Sequence, residues 1–198
     1  LSSSPSLEDQ AIFVVPETDS DYGGQRIVQM NELEDIRVSE EINHSWELAD
    51  QGVITDYNND GVQELFLSTA YLYDSAFIVL DLDSYDVIWG DKKAGDDEDN
   101  ITTVIAGDVN GDGFSDSVIV NSDRIQAIDI QNQVSLWLST RFSGIIHDVA
   151  IHDLDNDDTV EFIVATEEGL TTWKKSRRSY TRTASVTQNC NRIEVDNN

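Results

Sequence analysis

Apolar residues in this chain come in short runs rather than at helical spacing. The longest, at 11–15 and 77–80, hold about five residues or fewer; the first ends at Pro16 and the second at Asp81. Such runs between turn-forming residues predict strands. In the middle of the chain the pattern predicts consecutive strands over 117–121, 124–130, 134–140 and 148–151. Two stretches share a finer pattern: an apolar segment ends in Asp81 or Asp129, and a Trp follows eight residues later at Trp89 or Trp137. That interval suits a hairpin with a short polar turn at Asp83-Ser84 or Gln131-Asn132. Trp46 and Trp173 are looser echoes, and one Trp per repeat predicts a packing residue between stacked units.

The hairpins belong to a larger repeat. Three segments align without gaps: Asp56, Asn58, Asp60, Gly61, Val62 and Glu64; Asp108, Asn110, Asp112, Gly113, Phe114 and Asp116; Asp153, Asp155, Asp157, Asp158, Thr159 and Glu161. Each places oxygen-bearing side chains at loop positions 1, 3, 5 and 9, then runs into an apolar strand. A hard cation such as Ca²⁺ takes six to eight oxygens, and alternating Asp and Asn on a tight loop point several inward. Position 7 offers only its backbone carbonyl, so Val62, Phe114 and Thr159 differ freely. Position 6 needs a sharp turn with φ > 0, which Gly61 and Gly113 adopt without steric cost and Asp158 tolerates better than most residues. The final carboxylate stands at position 9 rather than 12 and opens a strand rather than a helix, which excludes an EF-hand. Up to three Ca²⁺ are expected, and they would take the ten carboxylates at positions 1, 3, 5 and 9 from −10 to −4.

The loops start at 56, 108 and 153, a period that suits a four-stranded blade. The expected architecture is all-β: a β-propeller of about four four-stranded blades, or a partial or open one, with calcium-binding loops joining one blade to the next. The blades fall at about 11–55, 56–107, 108–152 and 153–195, after a flexible segment 1–10, within one domain over 11–195. The pattern Asp-x-Asn-x-Asp-Gly-x-x-Asp before an apolar strand, clearest at Asp108–Asp116, resembles the FG-GAP or VCBS repeat of integrin-α-type β-propellers. The hairpins ending in Trp89 and Trp137 are similar to blades of quinoprotein-like propellers. The resemblance spans roughly residues 50–175 and implies structural calcium and a protein or glycan ligand. Integrin-type propellers have seven blades, so the chain is expected to be a small closed propeller, part of a larger one, or a stack completed by a neighbour.

Charge narrows the choice. The formal net charge is −27, and nucleic-acid affinity depends on neutralising phosphates with Lys and Arg, so neither nucleic acid nor an anionic membrane is an expected partner. No run approaches the roughly 20 apolar residues of a membrane helix. Residues 174–198 carry six Lys and Arg against two acids, a balance of +4 beside −31 on the rest. A basic tail on an acidic body complements a second copy of itself. That supports a competing expectation, a secreted filament subunit that assembles through strand addition and tail contacts. A further alternative is the non-catalytic propeller part of a larger secreted enzyme. His147 and His152 lie five residues apart on a strand and face opposite ways, no nucleophile or phosphate-binding motif is present, and no catalytic residue is expected. Weak calcium sites suit extracellular fluid or the cell surface. The sequons at Asn43 and Asn100 permit glycosylation there. Cys190 is alone, and the start at Leu1 reads as a processed or incomplete N-terminus.

Overall fold

A computed structural model describes residues 10–16, 25–31, 36–39, 47–71, 74–91, 101–176, 179–188 and 190–195. Among them the chain is all-β, with antiparallel sheets and no helix. The expected flexible segment, Trp46, Asn43 and Asn100 lie outside the described residues. The chain divides into two units, Leu1–Leu48 and Ala49–Asn198.

The first unit holds β1 (Gln10–Pro16), β2 (Gln25–Asn31) and β3 (Ile36–Val38), paired in that order. Ile27 is fully buried and is clamped by Ser39. The Ile27 N–H donates to Ser39 Oγ at 2.9 Å, and the Ser39 N–H donates back to the Ile27 carbonyl at 3.0 Å.

The remaining strands form three four-stranded meanders. The first contains β4 (Glu47–Thr55), β5 (Glu64–Tyr71), β6 (Asp74–Asp81) and β7 (Val87–Asp91). The second contains β8 (Ile101–Gly107), β9 (Asp116–Asn121), β10 (Ile125–Asp129) and β11 (Val134–Leu138). The third contains β12 (Ile146–His152), β13 (Glu161–Thr166), β14 (Gly169–Ser176) and β15 (Ser179–Val186). The expected hairpins are present: Val79 pairs with Trp89 across β6 and β7, and Ala127 with Trp137 across β10 and β11. A bulge in each hairpin absorbs one residue.

One expectation is corrected. The three acidic loops do not join one sheet to the next. Each lies inside a sheet, between its first and second strands: β8 pairs with β9 across the loop at 108, and β12 with β13 across the loop at 153. Sheet boundaries at 56, 108 and 153 are therefore late by one strand, and the predicted strand at 148–151 opens the third sheet instead of closing the second. The position 9 carboxylate that opens the second strand accepts from the backbone at the start of the loop, so each loop turns the chain back onto its neighbour in the same sheet.

The sheets stack by their faces. Side chains alternate along a strand, and β9 shows the result: Val118 and Val120 enter one apolar cluster while Ile119 enters another. Ile119 meets Phe66, Phe77 and Val79 of the first meander. Val118 and Val120 meet Val149, Phe162 and Val164 of the third. A strand buried on both faces reads as an unbroken apolar run, as here. Trp137 lies in the cluster of Val118 and Val120, 5.1 Å from Phe162 and 4.6 Å from Tyr180 between ring centroids. Trp89 packs on Phe77 at 5.3 Å. Trp137 packs between sheets, as the one-per-repeat spacing suggested, whereas the ring contact of Trp89 lies within its own meander, at the margin of the cluster shared with the second.

Phe162 is fully buried between Trp137 and Tyr180. Phe162→Ala is expected to destabilise the second unit by about 3–5 kcal/mol, the range for emptying an aromatic site in a packed core. Denaturant unfolding at constant m-value checks this.

Candidate metal centre

The three loops share one hydrogen-bonded frame. At position 1, both carboxylate oxygens turn back onto the loop. Asp56 accepts from the N–H groups of Asp60 and Gly61 at 3.0 and 2.9 Å. Asp108 accepts from Asp112 and Gly113 at 3.1 and 2.8 Å, and also from Gly111 at 2.6 Å. Asp153 accepts from Asp157 and Asp158 at 3.1 and 2.8 Å. At position 5, Asp60, Asp112 and Asp157 accept from the N–H of position 7, which is Val62, Phe114 and Thr159. Two residues per loop adopt positive φ: Asn59, Gly111 and Asn156 at position 4, and Gly61, Gly113 and Asp158 at position 6. Asp158 reaches φ 62° where the glycines have 90°. Asp takes up this left-handed conformation at modest cost.

Position 9 anchors each loop to the sheet beneath it. Glu64, Asp116 and Glu161 are 1%, 1% and 3% exposed, and each begins the second strand of its sheet. Each accepts from the backbone N–H of position 2: Tyr57 at 3.0 Å, Val109 at 2.9 Å, Leu154 at 2.8 Å. Asp116 also accepts from the Asn110 N–H at 3.1 Å.

Strand pairing adds a residue that spacing along the chain did not reveal. Glu64 pairs with Asp81 on β6. The β9–β10 register, carried one residue beyond Ile128 and Ser117, sets Asp129 against Asp116. Asn110 Nδ2 lies 3.5 Å from both Asp116 and Asp129. The first two loops thus face a further carboxylate. Asp81 and Asp129 also hold their hairpin turns, accepting from the N–H groups of Asp83 and Ser84 and of Asn132. Their shared place eight residues before a Trp was the available signal.

In the third loop the corresponding residue is Lys174, paired with Glu161. Its ammonium lies 2.7 Å from Asp155, 2.7 Å from Asp157 and 3.1 Å from Glu161. Hydrogen bonds to Asp155 and then to Asp157 raise the Lys174 pKa, and the bond from Lys174 is the main reason Asp157 falls below the usual carboxylate range. Asp153, Asp155 and Glu161 offer oxygens within 4.8 Å of one another, the only such acidic group among the described residues. His147 is exposed and His152 half-buried, and neither joins a metal-ligating group among those residues.

The first two loops fit a hard cation by the chemistry of their donors. Burial, opposed in part by the Tyr57 N–H, pushes Glu64 up to about 7, with Asp60, Asp56 and Asp81 adding repulsion. Burial likewise pushes Asp116 up to about 7 against the Val109 and Asn110 N–H bonds, with Asp129 and Asp112 adding to it. Gln63 Oε1, beside Glu64, is buried without a hydrogen-bond partner. A divalent cation among these oxygens would offset the repulsion between ionised carboxylates.

No protein-family model matches this sequence, and no curated protein matches it. Among solved structures, the chain is similar to the Vibrio cholerae biofilm matrix protein Bap1, with 14% identity and a TM-score of 0.39. The match covers 91% of this chain and 39% of that one. The chain thus spans well under half of that protein's length.

The raised carboxylates fix a sign for pH. Unfolded, Glu64 and Asp116 would ionise near 4; folded without cation, each holds its proton to about 7. The unfolded state then binds fewer protons across that window, so stability falls as pH rises from about 4 to about 7, and the penalty is complete above it. In excess chelator the melting temperature is therefore expected to fall between about pH 5 and pH 8. The Glu64→Gln, Asp116→Asn double variant is expected to melt with a flatter profile.

Proposed function

We propose that this chain is a calcium-stabilised β-propeller module of the extracellular space or cell surface that binds a protein or glycan ligand. Its calcium would be structural. The observation that carries this reading is the buried carboxylate beneath each of the first two loops with a second acid across the strand, Glu64 with the half-buried Asp81 and Asp116 with the buried Asp129. Asp56, Asn58 and Asp60 supply the remaining side-chain oxygens of the first loop, and Asp108, Asn110 and Asp112 those of the second, with the Val62 and Phe114 carbonyls at position 7. Bound calcium would supply positive charge that cancels carboxylate repulsion, and the frame of Asp56 and Asp108 would hold the loops in shape to receive it.

Stacked four-stranded meanders support the propeller reading, with each meander as one blade. Propellers present loops on a rigid scaffold, which suits recognition. The filament alternative has less to rest on, because part of the basic tail already has partners within its own chain. Lys174 pairs with the third loop, and Lys175 donates to the Asn110 carbonyl at 3.3 Å.

With free calcium at 100 times the dissociation constant, each occupied site adds about 2.7 kcal/mol. For a chain of this size that raises the melting temperature by roughly 5–10 °C per site. An unchanged melt in excess chelator, with no metal retained on the purified protein, rejects the calcium reading. Glycan and secreted-protein arrays probed with the calcium-loaded protein address recognition, and silence on both rejects that half.

A further inference from the structure

We propose that Lys174 is the built-in cation of the third loop, so that this loop takes an ammonium where the first two take calcium. The residue across the strand from position 9 would then decide which cation a loop holds. The inference rests on the calcium reading of the first two loops and adds a rule for telling the loops apart.

The three loops differ at two coupled places. Where the cross-strand residue is Asp81 or Asp129, position 3 is neutral: Asn58 or Asn110. Where it is Lys174, position 3 is acidic: Asp155. The swap is also functional in the hydrogen bonding. In the first two loops the position 3 amide donates to the position 5 carboxylate, Asn58 to Asp60 at 2.9 Å and Asn110 to Asp112 at 3.0 Å. Asp155 has no proton to give. Lys174 Nζ performs that task, bridging Asp155 and Asp157 at 2.7 Å each, and reaches the buried Glu161 as well. A single ammonium thus bridges positions 3 and 5 and stands 3.1 Å from the position 9 carboxylate, whose Oε1 is buried with no hydrogen-bond partner and is balanced by the charge of Lys174 alone.

Charge works in the same direction. The first two loops carry four carboxylates each, Asp56, Asp60, Glu64 and Asp81, and then Asp108, Asp112, Asp116 and Asp129; among the described residues the nearest protein cation is Lys175, which reaches the second loop at the Asn110 carbonyl and not at a carboxylate. The third loop also has four, Asp153, Asp155, Asp157 and Glu161, but brings its own counter-charge on β14. Lys174 is held there by strand pairing, so its ammonium is tethered and needs no ion from solution. A metal entering this loop would have to expel it against that tether. The position 6 glycine of the other loops is Asp158 here, and the frame from Asp153 forms nonetheless.

Calorimetric titration of the purified chain with calcium chloride tests this. Wild type is expected to bind two ions, and Lys174→Asp, which gives the third loop the cross-strand carboxylate of the others, is expected to bind three. Lys174→Met, which removes the charge and keeps much of the stem, is expected to gain the third ion too and decides the matter if Lys174→Asp does not fold. Three ions on wild type would overturn the proposal while leaving the calcium reading intact. Two on wild type and two on the folded variants would overturn the rule for choosing cations. A metal-free arm separates the two readings if wild type binds no calcium. In excess chelator, Lys174→Met is expected to lower the melting temperature by about 3 °C or more. It should do little in an Asp155→Asn, Asp157→Asn, Glu161→Gln background. Equal losses in both backgrounds would overturn the ammonium's role.

Discussion

The hydrogen bond from the second residue of each loop to the buried carboxylate at its ninth is the constraint on which this structure turns. Glu64, Asp116 and Glu161 each begin the second strand of a meander, and each reaches back to the backbone where the loop leaves the first. The bond fixes the length of the excursion between two paired strands and so helps set their register. It also places a carboxylate, the most costly of groups to bury, at the foot of an exposed loop. Whatever lies above must answer that charge. A proton does so for Glu64 and Asp116 in mildly acid solution, and an ammonium is on hand at Glu161.

The apolar interior gives that constraint a rigid base. The middle sheet is buried on both faces, with Val118 and Val120 directed to one neighbour and Ile119 to the other. Anchoring Asp116 at the start of the same strand ties the second loop to a strand that is buried along its whole length. The aromatic cluster of Trp137, Phe162, Trp173 and Tyr180 fills the space between the second and third meanders. Tyr180 also directs its hydroxyl to the Val109 carbonyl at 3.4 Å, which brings the third sheet into contact with the second loop. Burial and proximity to Asp116 push that phenol up to about 12.

Local chemistry was legible in the sequence, and the phase of the repeat was not. Asp, Asn and Gly at fixed offsets state their turn through their own hydrogen bonds, and Trp89 and Trp137 state their hairpins. A period alone has no starting point, however. The strand before the second loop, Ile101–Gly107, shares with the one before the third only a Val four residues ahead of the loop, Val104 and Val149, too slight a landmark to mark it as the first of its sheet. Asp81, Asp129 and Lys174 were hidden for a related reason: they lie 25, 21 and 21 residues after their loops begin, and only strand register shows that they face position 9. The left-handed position 4, Asn59, Gly111 and Asn156, does carry residue types that tolerate positive φ, a signal that the spacing of oxygen ligands alone does not include. Ser39 and Ser139 illustrate the same limit. Each clamps a buried Ile on a neighbouring strand, Ile27 or Ile125, through a hydroxyl and an N–H. That repeat marks kinship between β2–β3 and β10–β11 that no spacing rule would have found.

The first and second loops are fastened together. The Ser115 N–H donates to the Tyr57 carbonyl at 2.9 Å, and Asn59 Nδ2 donates to the Gly113 carbonyl at 2.8 Å. Neither loop can be ordered alone without presenting an ordered edge to the other. The entropy lost in fixing one is therefore partly spent on behalf of its neighbour. Loosening either loop would free an edge of the other, so the two are expected to order and disorder as a pair without any movement of the sheets that carry them.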